Sequence, residues 1–281
     1  MNILTFDVED WYNCDFISEN FDWSKYEVRI YDGVERILNE LERQNLKGTF
    51  FCLGWLAENH PRVIKMIKDG GHQIGCHSYQ HQLSTRFNPQ TFREDTHKAI
   101  SLIEDVIGEK IECFRAPGFS ITEKNPWAFE ILHELGIKYD SSVFPAHHDY
   151  GGMPNYGESR PSIISYDGVE IKEFPINIRK VLGHNLVFSG GGFFRLFPYF
   201  FIKNWGKEAE YMMTYFHPRD FDPEQPVIKE LPRMRRFKSY VGLKTSFAKF
   251  QKFLSDFDFV NIAQANLLID WSKAHVVRLE K

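Results

Sequence analysis

The feature that most constrains the fold of this chain is a repeated alternation, over its first half, of short apolar runs and longer segments with helical periodicity. Residues 2–6, 48–53, 73–76 and 111–114 are short apolar runs, which are typical of buried strands. The segments between them place apolar residues at helical spacing, as Val34, Ile37 and Leu41 show. Repeated strand–helix units in one chain predict an α/β protein with a parallel sheet or barrel.

The ends of the predicted helices are marked by glycine and proline. Helices are predicted over residues 31–44, 61–68 and 88–107, and another begins near residue 126. Pro61 and Pro89 stand at helix starts, and Gly108 and Gly136 follow helix ends. Further strands are predicted at residues 137–139 and 211–216, and the second is taken as the last core strand.

Unusual polar residues follow the carboxyl ends of these predicted strands. They are the acidic cluster Asp7-Val-Glu9-Asp10, the pair His77 and His81, and the single residues Arg115, Asp140 and His217. The active site of an α/β barrel is built at the carboxyl ends of its strands. The sequence therefore predicts one functional site to which all of these segments contribute.

The spacing of His77 and His81 predicts a metal site. Two histidines four residues apart lie on one face of a helical turn, close enough for both imidazoles to bind one cation. This spacing is common by itself, and the acidic cluster is what makes a site credible. A carboxylate would supply a third ligand and leave room for water, as in hydrolytic sites.

Composition and charge exclude several classes of protein. The chain has 281 residues, of which 43% are hydrophobic and 16% aromatic, enough for a substantial core. The net charge of −4 and the lack of a long basic run argue against a nucleic-acid partner. The basic segment at residues 233–238 is interpreted as a solvated face or a phosphate contact.

The sequence gives no sign of export or membrane insertion. No signal-peptide pattern opens the chain and no window is long and apolar enough for a transmembrane segment, so we expect a cytoplasmic protein. Cys14, Cys52, Cys76 and Cys113 lack Cys-x-x-Cys spacing and are expected to be reduced, mostly buried thiols. Oligomeric state is not predicted.

Six segments, in this order, resemble the polysaccharide deacetylases of the NodB type, which are related to carbohydrate esterase family 4. They are Thr5-Phe-Asp-Val-Glu-Asp10, Thr49-Phe-Phe51, Gln73-Ile-Gly-Cys-His-Ser-Tyr-Gln-His81, Phe114-Arg-Ala-Pro117, Tyr139-Asp-Ser141 and Phe216-His-Pro218. The chain is most similar to a branch found in exopolysaccharide and surface-polysaccharide gene clusters, whose members carry a C-terminal extension. The resemblance implies a distorted (β/α) barrel.

The resemblance also implies a role for each matching residue. Asp7 corresponds to the general base, and Arg115 to the arginine that orients it. His217 corresponds to the general acid, and Asp140 to the carboxylate that holds this histidine charged. His77 and His81 correspond to the histidine ligands of a divalent metal, with zinc expected and cobalt, nickel or manganese as alternatives.

Two departures from the family pattern affect the site. Val8 stands where most members carry an aspartate ligand, which leaves Glu9 and Asp10 as the alternatives. Strand alternation puts Glu9 on the same face as Asp7, whereas Asp10 requires a bend in the chain. Gly118 replaces an aromatic residue after Pro117, so its backbone N–H is the expected oxyanion donor. The aromatic wall that contacts the sugar would then come from Trp11, Tyr12 or Phe119.

The sequence thus predicts a metal-dependent hydrolase that removes N-acetyl groups, through cleavage of linear amide bonds, from an N-acetylated saccharide in polysaccharide biosynthesis. We expect a deacetylase barrel over residues 1–225 and an extension, residues 226–281, packed on the same domain. Two alternatives stay open: a catalytically silent carbohydrate-binding protein, and a hydrolase of a formyl group or cyclic ureide.

Overall fold

The computed structural model describes residues 1–13, 22–147, 150–181, 183–229 and 231–280. Its strands are β1 (Asn2–Ile3), β2 (Thr5–Val8), β3 (Thr49–Cys52), β4 (Gln73–Cys76), β5 (Cys113–Phe114), β6 (Tyr139–Asp140), β7 (Ser162–Tyr166), β8 (Val169–Glu173), β9 (Arg179–Val181), β10 (His184–Leu186), β11 (Met212–Met213) and β12 (His275–Arg278). Its α-helices are α1 (Ile30–Arg43), α2 (Gly54–Asn59), α3 (Pro61–Asp69), α4 (Pro89–Ile107), α5 (Trp127–Glu134), α6 (Gly191–Leu196), α7 (Tyr199–Glu208), α8 (Arg233–Tyr240), α9 (Leu243–Asp256) and α10 (Ile262–Leu268).

A mixed, mostly parallel sheet organises the chain. Its strand order is β12-β7-β8-β6-β5-β4-β3-β2, and β7 and β8 form the antiparallel pair within it. Because β2 to β6 are neighbours in the order of the chain and run parallel, their carboxyl ends meet at one edge. Beyond β2, β1 pairs with β11, and a further bridge joins Phe6 to Phe216. This edge positions the candidate site.

The helices form where the sequence predicts them, because their caps are local. The side chain of Asn88 accepts a hydrogen bond from the Thr91 N–H, and the Thr91 hydroxyl accepts one from the Asn88 N–H, so α4 begins with a capping box. Gly108 ends the same helix in the left-handed conformation, at φ 71°. None of the helices in the described ranges is long and apolar enough to cross a membrane.

Two sequence predictions about strands are wrong. The segment at residues 211–216 is not the last core strand, because β12 follows it and pairs in parallel with β7. The extended pairing within that segment is also limited to β11 and isolated bridges.

Of the predicted thiols, Cys52, Cys76 and Cys113 are free and buried, and Cys14 lies outside the described residues.

The C-terminal part of the chain contributes to the main hydrophobic core. Phe250 of α9 is fully buried, and its ring lies 5.1 Å from that of Phe216 and 6.1 Å from that of Phe6 in β2. Phe6 in turn stacks on Phe50 of β3, with ring centroids 4.5 Å apart. The aromatic core under the site edge is therefore shared between the first strands and α9.

We expect Phe250→Ala to lower the free energy of unfolding by about 3–5 kcal/mol, because it leaves a cavity inside this aromatic cluster. Urea denaturation followed by circular dichroism measures the change. Phe200→Ala is the matched control: Phe200 is 68% exposed, so its loss should change stability by no more than about 0.5 kcal/mol. Equal effects of the two substitutions would contradict the shared core.

Candidate active site

Three predicted ligands come together at the carboxyl edge of the sheet. Glu9 follows β2, His77 follows β4, and His81 lies four residues further along the same loop. One ligand atom from each of them lies within 4.8 Å of the others. The Nε2 atom of His81 is 2.8 Å from Oε2 of Glu9, and the two imidazole centroids are 5.2 Å apart. One carboxylate and two imidazoles form a donor set that suits zinc or a similar divalent cation.

The histidine pair does not lie on a helical turn, so that prediction is wrong. Residues 77–81 form an irregular loop in which Ser78 and His81 have positive φ angles, 64° and 58°. The Ser78 hydroxyl accepts a hydrogen bond from the His81 N–H at 3.0 Å and closes the loop. Two residues in the left-handed conformation thus bring the imidazoles together. This conformation is unfavourable for residues other than glycine, and such strain is found mostly in functional loops.

The environment of His77 keeps it neutral and fixes its tautomer. The Nδ1 atom lies 2.7 Å from the Arg115 carbonyl oxygen, which only accepts hydrogen bonds, so Nδ1 donates and Nε2 keeps its lone pair. Burial is the main reason that the pKa of His77 is lowered to about 4. A neutral imidazole whose other nitrogen bonds to a carbonyl is the usual form of a metal ligand.

The Glu9 carboxylate is buried and ionised. Burial by itself raises the pKa of Glu9, but the nearby imidazole of His81, followed by those of His217 and His77, lowers it to about 2. Despite the short approach of His81, Oε2 of Glu9 has no hydrogen bond of acceptable geometry among the described residues. A buried carboxylate oxygen without a donor fits a site that a cation completes.

Asp10, the alternative ligand, points away from this cluster. Its carboxylate accepts the backbone N–H groups of Trp11 at 2.7 Å, Arg29 at 2.7 Å and Ile30 at 2.8 Å. Ile30 is the first residue of α1, so Asp10 stabilises the start of that helix. The structure therefore groups Glu9, and not Asp10, with the two histidines.

Asp7 lies beside this cluster and is held by Arg115. The Arg115 guanidinium, fully buried, donates to Asp7 Oδ1 at 2.6 Å and to Thr5 Oγ1 at 2.9 Å. It also donates to the Ser141 hydroxyl at 2.9 Å and stacks over Phe51, 4.3 Å from the ring centroid. A buried arginine with these partners fixes the Asp7 carboxylate in one orientation.

His217 lies on the other side of Glu9 and has a carboxylate partner of its own. Its Nε2 is 3.6 Å from Glu9 Oε1, and its Nδ1 is 3.0 Å from Asp220 Oδ2. Burial lowers the pKa of His217, but the Asp220 carboxylate and then that of Glu9 raise it above its usual value. The charges of Arg195 and His217 outweigh burial and lower the pKa of Asp220 to about 2.

The prediction that Asp140 holds His217 is wrong. Asp140 is buried at the end of β6, where it accepts hydrogen bonds from the Ser142 N–H at 3.0 Å and the Ser142 hydroxyl at 2.7 Å. It also shares a hydrogen bond with Glu173, and burial raises the pKa of both carboxyls. Asp220 is only three residues from His217, and the segment His-Pro-Arg-Asp was the signal that could have found it.

The residues predicted to contact the sugar are distributed differently from the prediction. Trp11 and Tyr12 are 6% and 0% exposed and pack against Trp23, so their rings do not form an open wall. Pro117 is buried, and Gly118 lies in a turn with φ 61°, where any Cβ would also approach Leu83. Glycine is therefore favoured at residue 118 by the backbone conformation as well as by space.

Comparison with known families agrees with this geometry. Residues 4–139 match the polysaccharide deacetylase family, and residues 141–266 match a domain of unknown function, DUF3473. Residues 4–139 are thus similar to the polysaccharide deacetylases, and the family resemblance of the sequence motifs is confirmed.

The chain is similar to individual members over part or all of its length. It is 34% identical, over 34% of its residues, to a peptidoglycan-N-acetylglucosamine deacetylase of Bacillus cereus, of which the match covers 35%. The chain spans only about a third of the length of the curated relatives that it matches.

Solved structures share the fold at low sequence identity. A candidate polysaccharide deacetylase from Mycobacterium smegmatis aligns with a TM-score of 0.65 and 20% identity over 99% of this chain and 93% of that one. A family 4 carbohydrate esterase from Streptomyces lividans, in complex with acetate, aligns with a TM-score of 0.51 and 12% identity over 99% of this chain and 97% of that one. These likenesses confirm the predicted NodB-type (β/α) barrel.

We expect the wild-type protein, loaded with zinc and then dialysed, to retain about one divalent ion per chain. The His77→Ala, His81→Ala double variant should retain none, because two of the three ligands are lost. Elemental analysis measures the ratio. Glu9→Gln should also lose most of the metal, whereas Asp10→Asn should keep it, since Asp10 only bonds backbone amides. The opposite result for these two variants would reassign the third ligand.

Proposed function

We propose that this protein is a metal-dependent hydrolase that removes an acetyl group from an N-acetylated amino sugar of a polysaccharide. The observation that carries the proposal is the arrangement around Glu9. The predicted ligands Glu9, His77 and His81 lie between Asp7 and His217. The Asp7 carboxylate is bound by Arg115, and the His217 imidazole is bound by Asp220. Amide hydrolysis needs a group that accepts a proton from the attacking water and a group that donates one to the leaving nitrogen, and the side chains of Asp7 and His217 suit those roles.

Glu9, His77 and His81 would hold the cation. When bound, a divalent cation supplies Lewis-acid polarisation of the amide carbonyl and lowers the pKa of a coordinated water. The neutral imidazole of His77 and the ionised carboxylate of Glu9 are the protonation states that such a site requires.

Asp7 and His217 would move the protons. The Asp7 carboxylate, oriented by Arg115, accepts a proton from the attacking water as a carbon–oxygen bond forms at the acetyl carbon. His217, kept protonated by Asp220, donates a proton to the amide nitrogen as the carbon–nitrogen bond breaks. Acetic acid and a free amine leave, and transfer of the Asp7 proton to His217 through solvent restores both groups, so atoms and charges balance without a further reactant.

The choice of an acetylated sugar as substrate is supported by the family and by its relatives. A relative in Bacillus cereus is named for the deacetylation of N-acetylglucosamine in peptidoglycan, and one in Helicobacter pylori is named a peptidoglycan deacetylase. A role in the synthesis of a surface or extracellular polysaccharide, with zinc as the metal, is part of the same proposal.

We expect Asp7→Asn to retain the metal but to lower acetate release from N-acetylated chitooligosaccharides by about 10²–10⁴-fold, the usual contribution of a positioned general base. Coupled enzymatic detection of acetate and elemental analysis of the same sample give the two readings. Glu35→Gln, which removes an exposed carboxylate of α1, is the control. A fully active Asp7→Asn variant would exclude Asp7 as the base. If the wild type bound the saccharide without releasing acetate, the alternative of a catalytically silent carbohydrate-binding protein would be favoured.

We expect Asp220→Asn to impair turnover more strongly than Asp140→Asn, by at least about tenfold, because Asp220 is the carboxylate that bonds His217. The pH–rate profile provides the second reading. The Asp220 carboxylate raises the pKa of His217, so its loss lowers that pKa and moves the alkaline limb of the profile to lower pH. If Asp140→Asn moved the alkaline limb and Asp220→Asn did not, the two assignments would be reversed.

A further inference from the structure

A groove leads away from the candidate active site towards the C-terminal part of the chain. It has a volume of about 750 Å³, begins at Glu9 and His217, and ends against α8. Pockets of roughly 300–1,000 Å³ accommodate whole organic ligands. An acetamido group fills only a small part of this space, so the groove has room for much more of the substrate than the reacting group.

The α8 end of the groove carries basic side chains. Arg235 and Lys238 of α8 line the groove, as does Arg219, two residues after His217, and α8 has four basic residues and no acidic one in the sequence Arg-Met-Arg-Arg-Phe-Lys-Ser-Tyr. The carboxylates of the lining, Glu9 and Asp220, already pair with His81 and with Arg195. Within the described ranges no carboxylate pairs with Arg219 or Lys238. This end of the groove is therefore suited to an anion, although the whole chain has a net charge of −4.

The walls of the same groove are apolar and open to solvent. Leu196, Met234 and Phe237 line it and are 43%, 67% and 52% exposed. Exposed apolar side chains that are grouped in this way usually mark a binding groove. The lining also includes the aromatic rings of Tyr150, Phe193, Tyr215 and Phe237, on which a sugar can stack, whereas Leu196 and Met234 offer no ring face and suit a hydrocarbon chain.

The α8 wall is built into the site and is tied to its acid pair. Arg195 is 7% exposed, and its guanidinium lies 3.0 Å from Asp220 Oδ1, 2.8 Å from the Ser239 carbonyl and 3.0 Å from the Lys238 carbonyl. Gly242 follows the helix at φ 72°, where a Cβ would meet the Arg195 backbone. The cationic and apolar residues of α8 are thus held in a defined position relative to His217.

We propose that the groove takes an amphiphilic substrate, in which the acetylated saccharide is joined through a phosphate group to a hydrocarbon chain. The anion would bind near Arg219, Arg235 and Lys238, and the chain would lie along Leu196, Met234 and Phe237. A neutral polysaccharide uses neither the charge nor the aliphatic surface, and an acidic polysaccharide uses only the charge. The position of the saccharide rests on the proposed function; the phosphate and hydrocarbon subsites do not.

The test is the binding of a probe without a sugar or an acetyl group. Calorimetry compares geranyl diphosphate, inorganic diphosphate and geraniol on the zinc-loaded protein. We expect geranyl diphosphate to bind at least about tenfold more tightly than either of the others, because only it uses both subsites. Met234→Ser combined with Phe237→Ser should remove this advantage and leave inorganic diphosphate unaffected, whereas Lys238→Glu should weaken both diphosphates.

Matched controls establish whether probe binding depends on the groove. Leu267→Ser changes an apolar residue of α10 that is 82% exposed, and Lys252→Glu changes a surface charge of α9; neither should alter probe binding. The double variant His77→Ala, His81→Ala should still bind geranyl diphosphate; loss of binding there would mean that diphosphate binds to the metal instead, and would overturn the proposal.

Two other results would overturn it. The first is equal binding of geranyl and inorganic diphosphate. The second is a dimer, seen by sedimentation velocity, that the Met234→Ser and Phe237→Ser changes dissociate, since the apolar wall would then belong to self-association. Tight, groove-dependent probe binding in a protein that releases no acetate would instead refute the proposed function and leave the subsite assignment intact.

Discussion

The buried ion pair between Arg115 and Asp7 is the interaction on which the site depends. The guanidinium has no access to solvent, so every one of its donors must find a protein acceptor. It finds them on Asp7, Thr5 and Ser141, which belong to β2 and to the segment after β6. One side chain thereby connects the first strand of the sheet to its middle. Its own carbonyl also accepts the His77 N–H, so the same residue orients the base and a metal ligand.

A second network, on the opposite side of Glu9, orients the other proton-transfer group with residues from the C-terminal half of the chain. Asp220 pairs with His217 and Arg195, and Arg195 donates to carbonyl groups at the end of α8. Each proton-transfer group is thus held by a buried partner of opposite charge, which limits its motion. Glu9 lies between the two networks and is the carboxylate that both histidine-bearing loops approach.

Much of the fold and of the ligand set was readable from sequence because the signals are local. The capping box at Asn88 and the left-handed Gly108 fix α4 with residues that are neighbours in the chain. Strand alternation from Asp7 puts Glu9 on the same face and Asp10 elsewhere, and the structure has that arrangement. The pairing of His217 was not found, because its aspartate lies in a turn after a strand, where neither strand nor helix periodicity applies. The aromatic wall was misplaced because burial of Trp11 and Tyr12 depends on their packing against Trp23, which strand and helix periodicity do not reveal.

The sequence by itself determined the family resemblance, the alternation of strands and helices over the first half of the chain, and the identity of Asp7, Arg115, His77, His81 and His217 as the residues to examine. These follow from residue types at fixed local spacings. Only the tertiary structure decided that the two histidines meet through left-handed loop residues and that Asp220 is the partner of His217. It also decided that α8 closes a cationic and apolar groove beside them. Those contacts join segments far apart in the chain, and their geometry depends on how the sheet and the C-terminal helices pack.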